Sequence, residues 1–138
     1  MGLDGKVIVR RIYDALSDHD LDALDAHIAD DVVIHGMEAQ GLAALKAEMR
    51  NYYAGVPDFR VAVKEIIAAG YRVAAWITCD GTHTAELWGI PATGRTFAVP
   101  EMDLCRIEDG KVVEYWVLSD EAAFMSQLGL AGDVEPTG

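Results

Sequence analysis

The order in which two periodicities follow one another constrains this chain more than any single motif. Up to Gly55 the apolar residues recur at helical spacing, and from Phe59 to Asp120 they fall in strand-like runs separated by turns. In KVIVRRIYDALSDHD, the stripe Ile8, Ile12 and Leu16, with Val9 and Tyr13 beside it, predicts a first helix that ends near the polar SDHD. Leu21, Leu24 and Ile28 predict a short second helix capped by Asp20, and DVVIHG a short strand. Leu42, Leu45 and Met49 predict a third helix that stops at Gly55. Four successive strands then follow: FRVAVKEIIAAG, YRVAAWITCDGTHTAELWG, RTFAVPEMDLCRIEDG and KVVEYWVLSD. EDGK (108–111) reads as a tight hairpin turn, and GIPATGR as a wider loop. EAAFMSQLGL predicts a closing helix with Phe124, Met125 and Leu128 on its apolar side, and 131–138 a frayed tail.

Helices followed by a run of antiparallel strands predict an α+β fold rather than alternating βαβ units. At 138 residues the chain is expected to form one domain, over residues 1–130. A long curved sheet wrapped on two or three helices does not close its apolar concavity, so a pocket is expected between the layers. That pocket is where function is to be sought.

Composition narrows what the pocket serves. A formal charge of −12 opposes binding to nucleic acid and to anionic membrane surfaces. Cys79 and Cys105 are far apart in sequence, which favours two reduced core thiols and a cytoplasmic location over a disulfide. The start MGLDGKVIVRR has no long apolar leader, and no apolar run reaches membrane-spanning length. His19, His27, His35 and His83 show no HxH or HExxH spacing, so no metal site is expected. GxGxxG, GxxxxGK[ST] and GxSxG are also absent.

One stretch raises a specific question. In EYWVLSD, Glu114, Trp116, Leu118 and Asp120 share one side of a strand that runs into a helix. Asp120 either caps that helix or projects into an apolar cavity as an acid or base. The two roles make opposite electrostatic demands: cap N–H groups lower a carboxyl pKa, and burial beside Trp116 and Leu118 raises it. His83 lies on a strand whose odd positions Val73, Ala75, Ile77 and Cys79 are small or apolar. It is either deep in the pocket or a buried histidine bonded to backbone. His35 poses the same pair of alternatives. Tyr13 and Trp76 read first as core aromatics, and Trp88 as a wall at the cavity mouth.

YDALSDHDLDALDAHIADDVVIHG, followed by GTHTAELWGIPATGRTF and RIEDGKVVEYWVLSD…QLG, resembles the SnoaL-like polyketide cyclases of the nuclear-transport-factor-2-like superfamily. The resemblance covers nearly the whole chain. It implies a cone-shaped α+β barrel and a cofactor-free, metal-free intramolecular aldol condensation that closes a ring on an aromatic polyketide-type substrate. It also implies an aspartate after the last strand as acid/base, which falls on Asp120, with His35 and His83 lining the cavity. Tyr13, Trp88 and Trp116 would contact substrate, and Cys105 stands where some relatives carry a histidine. A homodimer paired through the outer sheet face is implied as well. Relatives of the same cone include epoxide hydrolases, isomerases and cofactor-free hydroxylases, and a non-catalytic module holding a hydrophobic ligand is a further alternative.

Overall fold

The computed structural model describes residues 4–130, so the expectation for the tail 131–138 lies outside the described residues. Helix α1 (Gly5–Ser17) starts where the Asp4 carboxylate accepts the Lys6 N–H at 2.8 Å. Its buried face is Ile8, Val9, Ile12, Tyr13 and Ala15, the stripe expected from the sequence. Asp20 caps the next segment as expected, but that segment is a 3-10 turn (Leu21–Ala26) rather than an α-helix. Ile28 already belongs to strand β1 (Ile28–His35), which is longer than DVVIHG. The β-branched run Val32, Val33 and Ile34 favours extended backbone there.

Helix α2 (Leu42–Gly55) leads into β2 (Arg60–Ala69), β3 (Arg72–Thr82), β4 (Thr96–Glu108) and β5 (Lys111–Ser119), and α3 (Glu121–Gln127) follows. The strands form one five-stranded sheet in the order β1-β5-β4-β3-β2. β1 joins β5 in parallel and the other pairs are antiparallel, so the sheet is mixed. It curves around the helices without closing into a barrel. Helix α1 lies on β2 and β3, α2 on β1, and α3 on β4. The second strand-like run ends at Thr82, and 83–95 form a loop bearing an isolated Leu87–Ile90 bridge. At EDGK the expected tight turn is present, with φ of +51° at Asp109 and +77° at Gly110. Among the described residues no helix is long and apolar enough to cross a membrane.

One irregularity sets the orientation of β5. Ile107 pairs with Val112, but Arg106 pairs with Glu114, so Val113 is an extra residue and the strand bulges. Past the bulge the alternation changes phase. Tyr115 and Val117 turn to the concave side, and Glu114 and Trp116 to the outer side with Arg106 and Arg72.

Two glutamines stand in for missing strand partners. The Gln40 amide accepts from Ile34 N–H (2.6 Å) and donates to Ile34 O (2.7 Å) at the edge of β1. Gln127, in QLG, accepts from Ala98 N–H (2.7 Å) and donates to Ala98 O (3.1 Å), tying α3 to β4 while Leu128 is buried beneath. Gln127→Ala removes both bonds at a partly solvated site and should cost about 1–2 kcal/mol. Chemical denaturation should show that loss, together with faster hydrogen exchange at Ala98.

Candidate active site

Between sheet and helices lies a cavity of about 580 Å³. Helix α1 supplies Val9, Ile12, Tyr13 and Leu16 to its wall, and α2 supplies Leu45, Met49 and Tyr52. The sheet contributes the odd positions of its central strands, because side chains two apart on a strand share a face. On β3 these are Ile77 and Cys79, and on β4 Glu101, Asp103 and Cys105. Among the described residues the lining contains no lysine or arginine, and His35 is its one basic side chain.

Two acids therefore stand one strand repeat apart on a mostly apolar floor. Asp103 is 8% exposed, and its Oδ2 accepts a hydrogen bond from the Tyr13 hydroxyl at 2.8 Å. Its other oxygen, Oδ1, is buried without a partner. Burial raises the Asp103 pKa above the usual aspartate value, against the lowering effect of its hydrogen bonds. Burial also raises Glu101, and the neighbouring Asp103 charge raises it further. Glu101 has only a weak donor, the Cys79 thiol at 3.9 Å. Two carboxylates in one apolar site do not both ionise, and the anion settles where a strong donor supports it. Tyr13 gives Asp103 a strong donor that Glu101 lacks, so the pair favours the charge on Asp103 and the proton on Glu101. Tyr13 is held a donor, since burial and then Asp103 push its pKa far above the ordinary tyrosine value.

The residues expected from the sequence separate into two groups. Tyr13, Trp88, Cys105 and His35 line the cavity. His35 sits at its rim, where its Nε2 meets Glu114 Oε2 at 2.7 Å and its ring stacks on Trp116 at 4.7 Å. Trp116 is not in the lining: the bulge turns it to the outer face, under Arg72. His83 is fully buried yet outside the cavity lining. Thr93 N–H donates to its Nδ1 at 3.3 Å and the Thr93 hydroxyl lies 3.0 Å from the same nitrogen, so the ring pins the 83–95 loop. Asp120 takes the first of its two alternatives, the helix cap. Its carboxylate accepts the Ala123 N–H at 2.9 Å as the cap of α3, and it is exposed and outside the lining. Leu118, Ser119 and Glu121 around it border the cavity, so Asp120 stands near the rim with its carboxylate turned to the helix cap. The acids of the floor, Glu101 and Asp103, were not singled out from the sequence. The signal was there: in FAVPEMDLCRI two acids share one alternation phase with Phe97, Val99, Cys105 and Ile107. Among the described residues, no group of three or more His, Cys, Asp or Glu is placed to hold a metal ion.

The raised pair makes stability depend on pH with a defined sign. A carboxyl whose folded pKa lies above its unfolded value stabilises the fold at low pH, and that contribution is lost as pH rises toward the folded value. For Glu101 the loss begins near its ordinary value of 4.5 and continues into the alkaline range. Glu101→Gln should flatten this decline, so its Tm should match wild type near pH 5 and exceed it above neutrality. Parallel melting curves across pH would check this.

Comparison with known proteins agrees with the architecture. The family model for SnoaL-like polyketide cyclases matches residues 6–128. Aklanonic acid methyl ester cyclase DnrD of Streptomyces peucetius is 38% identical over 60 residues, which span 44% of this chain and 41% of that one. The matched segment is thus less than half the length of that relative. DauD of Streptomyces sp. strain C5, a cyclase of the same description, gives the same identity over the same length. Among solved structures, IdmH from Streptomyces antibioticus, a proposed polyketide cyclase, is 30% identical with a TM-score of 0.81, covering 90% of this chain and 97% of its own. AclR from Streptomyces galilaeus, a proposed hydroxylase, is 29% identical with a TM-score of 0.82, covering 94% of this chain and 83% of its own. Matched by the family model across nearly its whole length, the chain belongs to the SnoaL-like polyketide cyclases.

Proposed function

We propose that this protein closes a ring on a neutral aromatic polyketide-type substrate by an intramolecular aldol condensation, with Asp103 as base and Glu101 as acid. One observation carries the reading: two carboxyls, Glu101 and Asp103, side by side on the floor of an apolar cavity, where burial raises the pKa of each. Membership of the family and the similarity to two aklanonic acid methyl ester cyclases support the reaction class. Asp103 takes the proton from a carbon flanked by carbonyls. The enolate attacks a ketone carbon within the same molecule, and Glu101 protonates the ketone oxygen as the new C–C bond forms. An aromatic substrate delocalises the enolate charge through its own rings, so the step calls for no metal or organic cofactor. The cavity supplies the remaining barrier reduction by holding the reacting carbons in contact. Desolvation brings both carboxyls toward the operating pH, where acid–base catalysis is most effective.

The assignment moves the acid–base role from Asp120 to the floor of the cavity. Asp103→Asn keeps the volume and a polar group but not the base, so turnover of a linear aromatic polyketide should fall by roughly two or more orders of magnitude. Asp120→Asn, an equivalent cap, should keep most of the rate and the melting temperature. The reverse pattern would return the role to Asp120. A hydroxylation reading has the similarity to AclR behind it, and oxygen consumption during turnover would favour it over ring closure.

A two-fold homodimer through the outer sheet face is also proposed. Trp76 and Met102 stand 46% and 52% exposed there, continued by Leu118 at the cavity rim, an apolar strip that self-association would cover. Sedimentation at micromolar concentration should give twice the chain mass, and Trp76→Glu should give the monomer.

A further inference from the structure

A second cavity of about 360 Å³ adjoins the first. The two share Tyr52, Cys79, Trp88, Glu101, Ser119 and Glu121, so they meet beside one of the two floor carboxyls. Beyond that neck the second lobe is walled by Ile90, Val99, Phe124 and Met125. No lysine, arginine or histidine lines it, and two glutamates do.

Trp88 stands at the junction in an unusual backbone state. Leu87 and Ile90 exchange both backbone hydrogen bonds (3.0 and 2.8 Å), and the residues between them, Trp88 and Gly89, have φ of +51° and +80°. Both signs are those of a type I′ turn, whose first central position favours asparagine or glycine. A tryptophan held there is strained, and such strain persists only where surrounding structure over-determines it. Here the indole N–H donates to Glu48 Oε1 at 2.6 Å, and the ring meets Tyr52 and Phe124 edge-on at 5.1 and 5.8 Å. The strained turn thus holds one aromatic ring between two helices and across two lobes.

We propose that Trp88 divides the cavity into two subsites and that the smaller lobe takes an uncharged alkyl or acyl arm branching from the substrate's ring system. The proposal rests on the reading that the larger lobe holds flat aromatic rings. The apolar wall suits hydrocarbon, and the absence of any basic side chain among its described residues, with Glu121 at the neck, disfavours an arm ending in carboxylate. Substrate selection is then set at the arm, next to the acid that protonates the reacting oxygen.

Calorimetry with four anthraquinones tests this, each carrying hydrogen, ethyl, butyl or carboxymethyl at the same ring position. Wild-type affinity should rise by about fourfold per methylene buried, and the carboxymethyl compound should bind more weakly than the ethyl one. Trp88→Asn suits the turn, so its melting temperature should equal or exceed wild type while the gain from the arm disappears. Met125→Trp fills the lobe from the opposite wall and should abolish the same gain while leaving the unsubstituted ring bound. Equal binding of all four ligands by wild type would overturn the arm subsite, as would either variant retaining the gain. If the unsubstituted ring does not bind, the aromatic-substrate reading falls and the arm subsite with it.

Discussion

A carboxylate is expensive to bury, and the bond that makes it tolerable here runs between helix and sheet. Tyr13 reaches from α1 to Asp103 on β4, a strand flanked by β3 and β5, at 2.8 Å. The Tyr13 hydroxyl supports one oxygen and the neighbouring Glu101 carboxyl is the other group able to support the charge, so desolvation is only partly offset. The stripe of Ile8, Val9 and Ile12, almost wholly buried, fixes α1 so that the phenol can reach. Apolar packing thereby holds a polar group in a state that water would otherwise relax. The same desolvation raises the pKa of both carboxyls, so the local instability and the proposed chemistry have one physical origin.

The architecture was legible because it rests on periodicity. The stripes of α1 and α2 and the four long strand runs stand where the spacing puts them, and Asp109-Gly110 turns the last hairpin as its residue types require. Register was not legible. Val112 and Val113 are both apolar, so nothing local marks the bulge that reverses the faces of β5. On β4 both faces carry apolar residues, Ala98, Met102 and Leu104 against Phe97, Val99 and Cys105, and alternation alone does not say which is concave. Only the partners of a strand decide that, and a side-chain period of two makes any one-residue slip an inversion. The 3-10 turn at Leu21–Ala26 failed for a smaller reason: β1 claims Ile28, the third member of the stripe.

Several residues that carry the family resemblance have structural roles. Gln127 binds the backbone of Ala98, His83 pins Thr93, and Asp120 starts α3. Each fixes a segment that borders one of the lobes, because α3 brings Phe124 and Met125 to the smaller one and the 83–95 loop brings Trp88 to both. A motif of this kind specifies the container more than the reaction.

That division accords with the proposed placement of acid and base on β4. A carboxylate at the end of β5 lies where the sheet stops and solvent reaches it, so its charge is dispersed by water and by the Ala123 N–H. The floor of the cone offers the opposite environment: flanking strands on both sides, an apolar lining, and a phenol that supports one charge but not two. In the proposed reaction a pair of carboxyls there supplies base and acid from one proton, and the curvature that leaves the cone unfilled leaves room for substrate carbon against both.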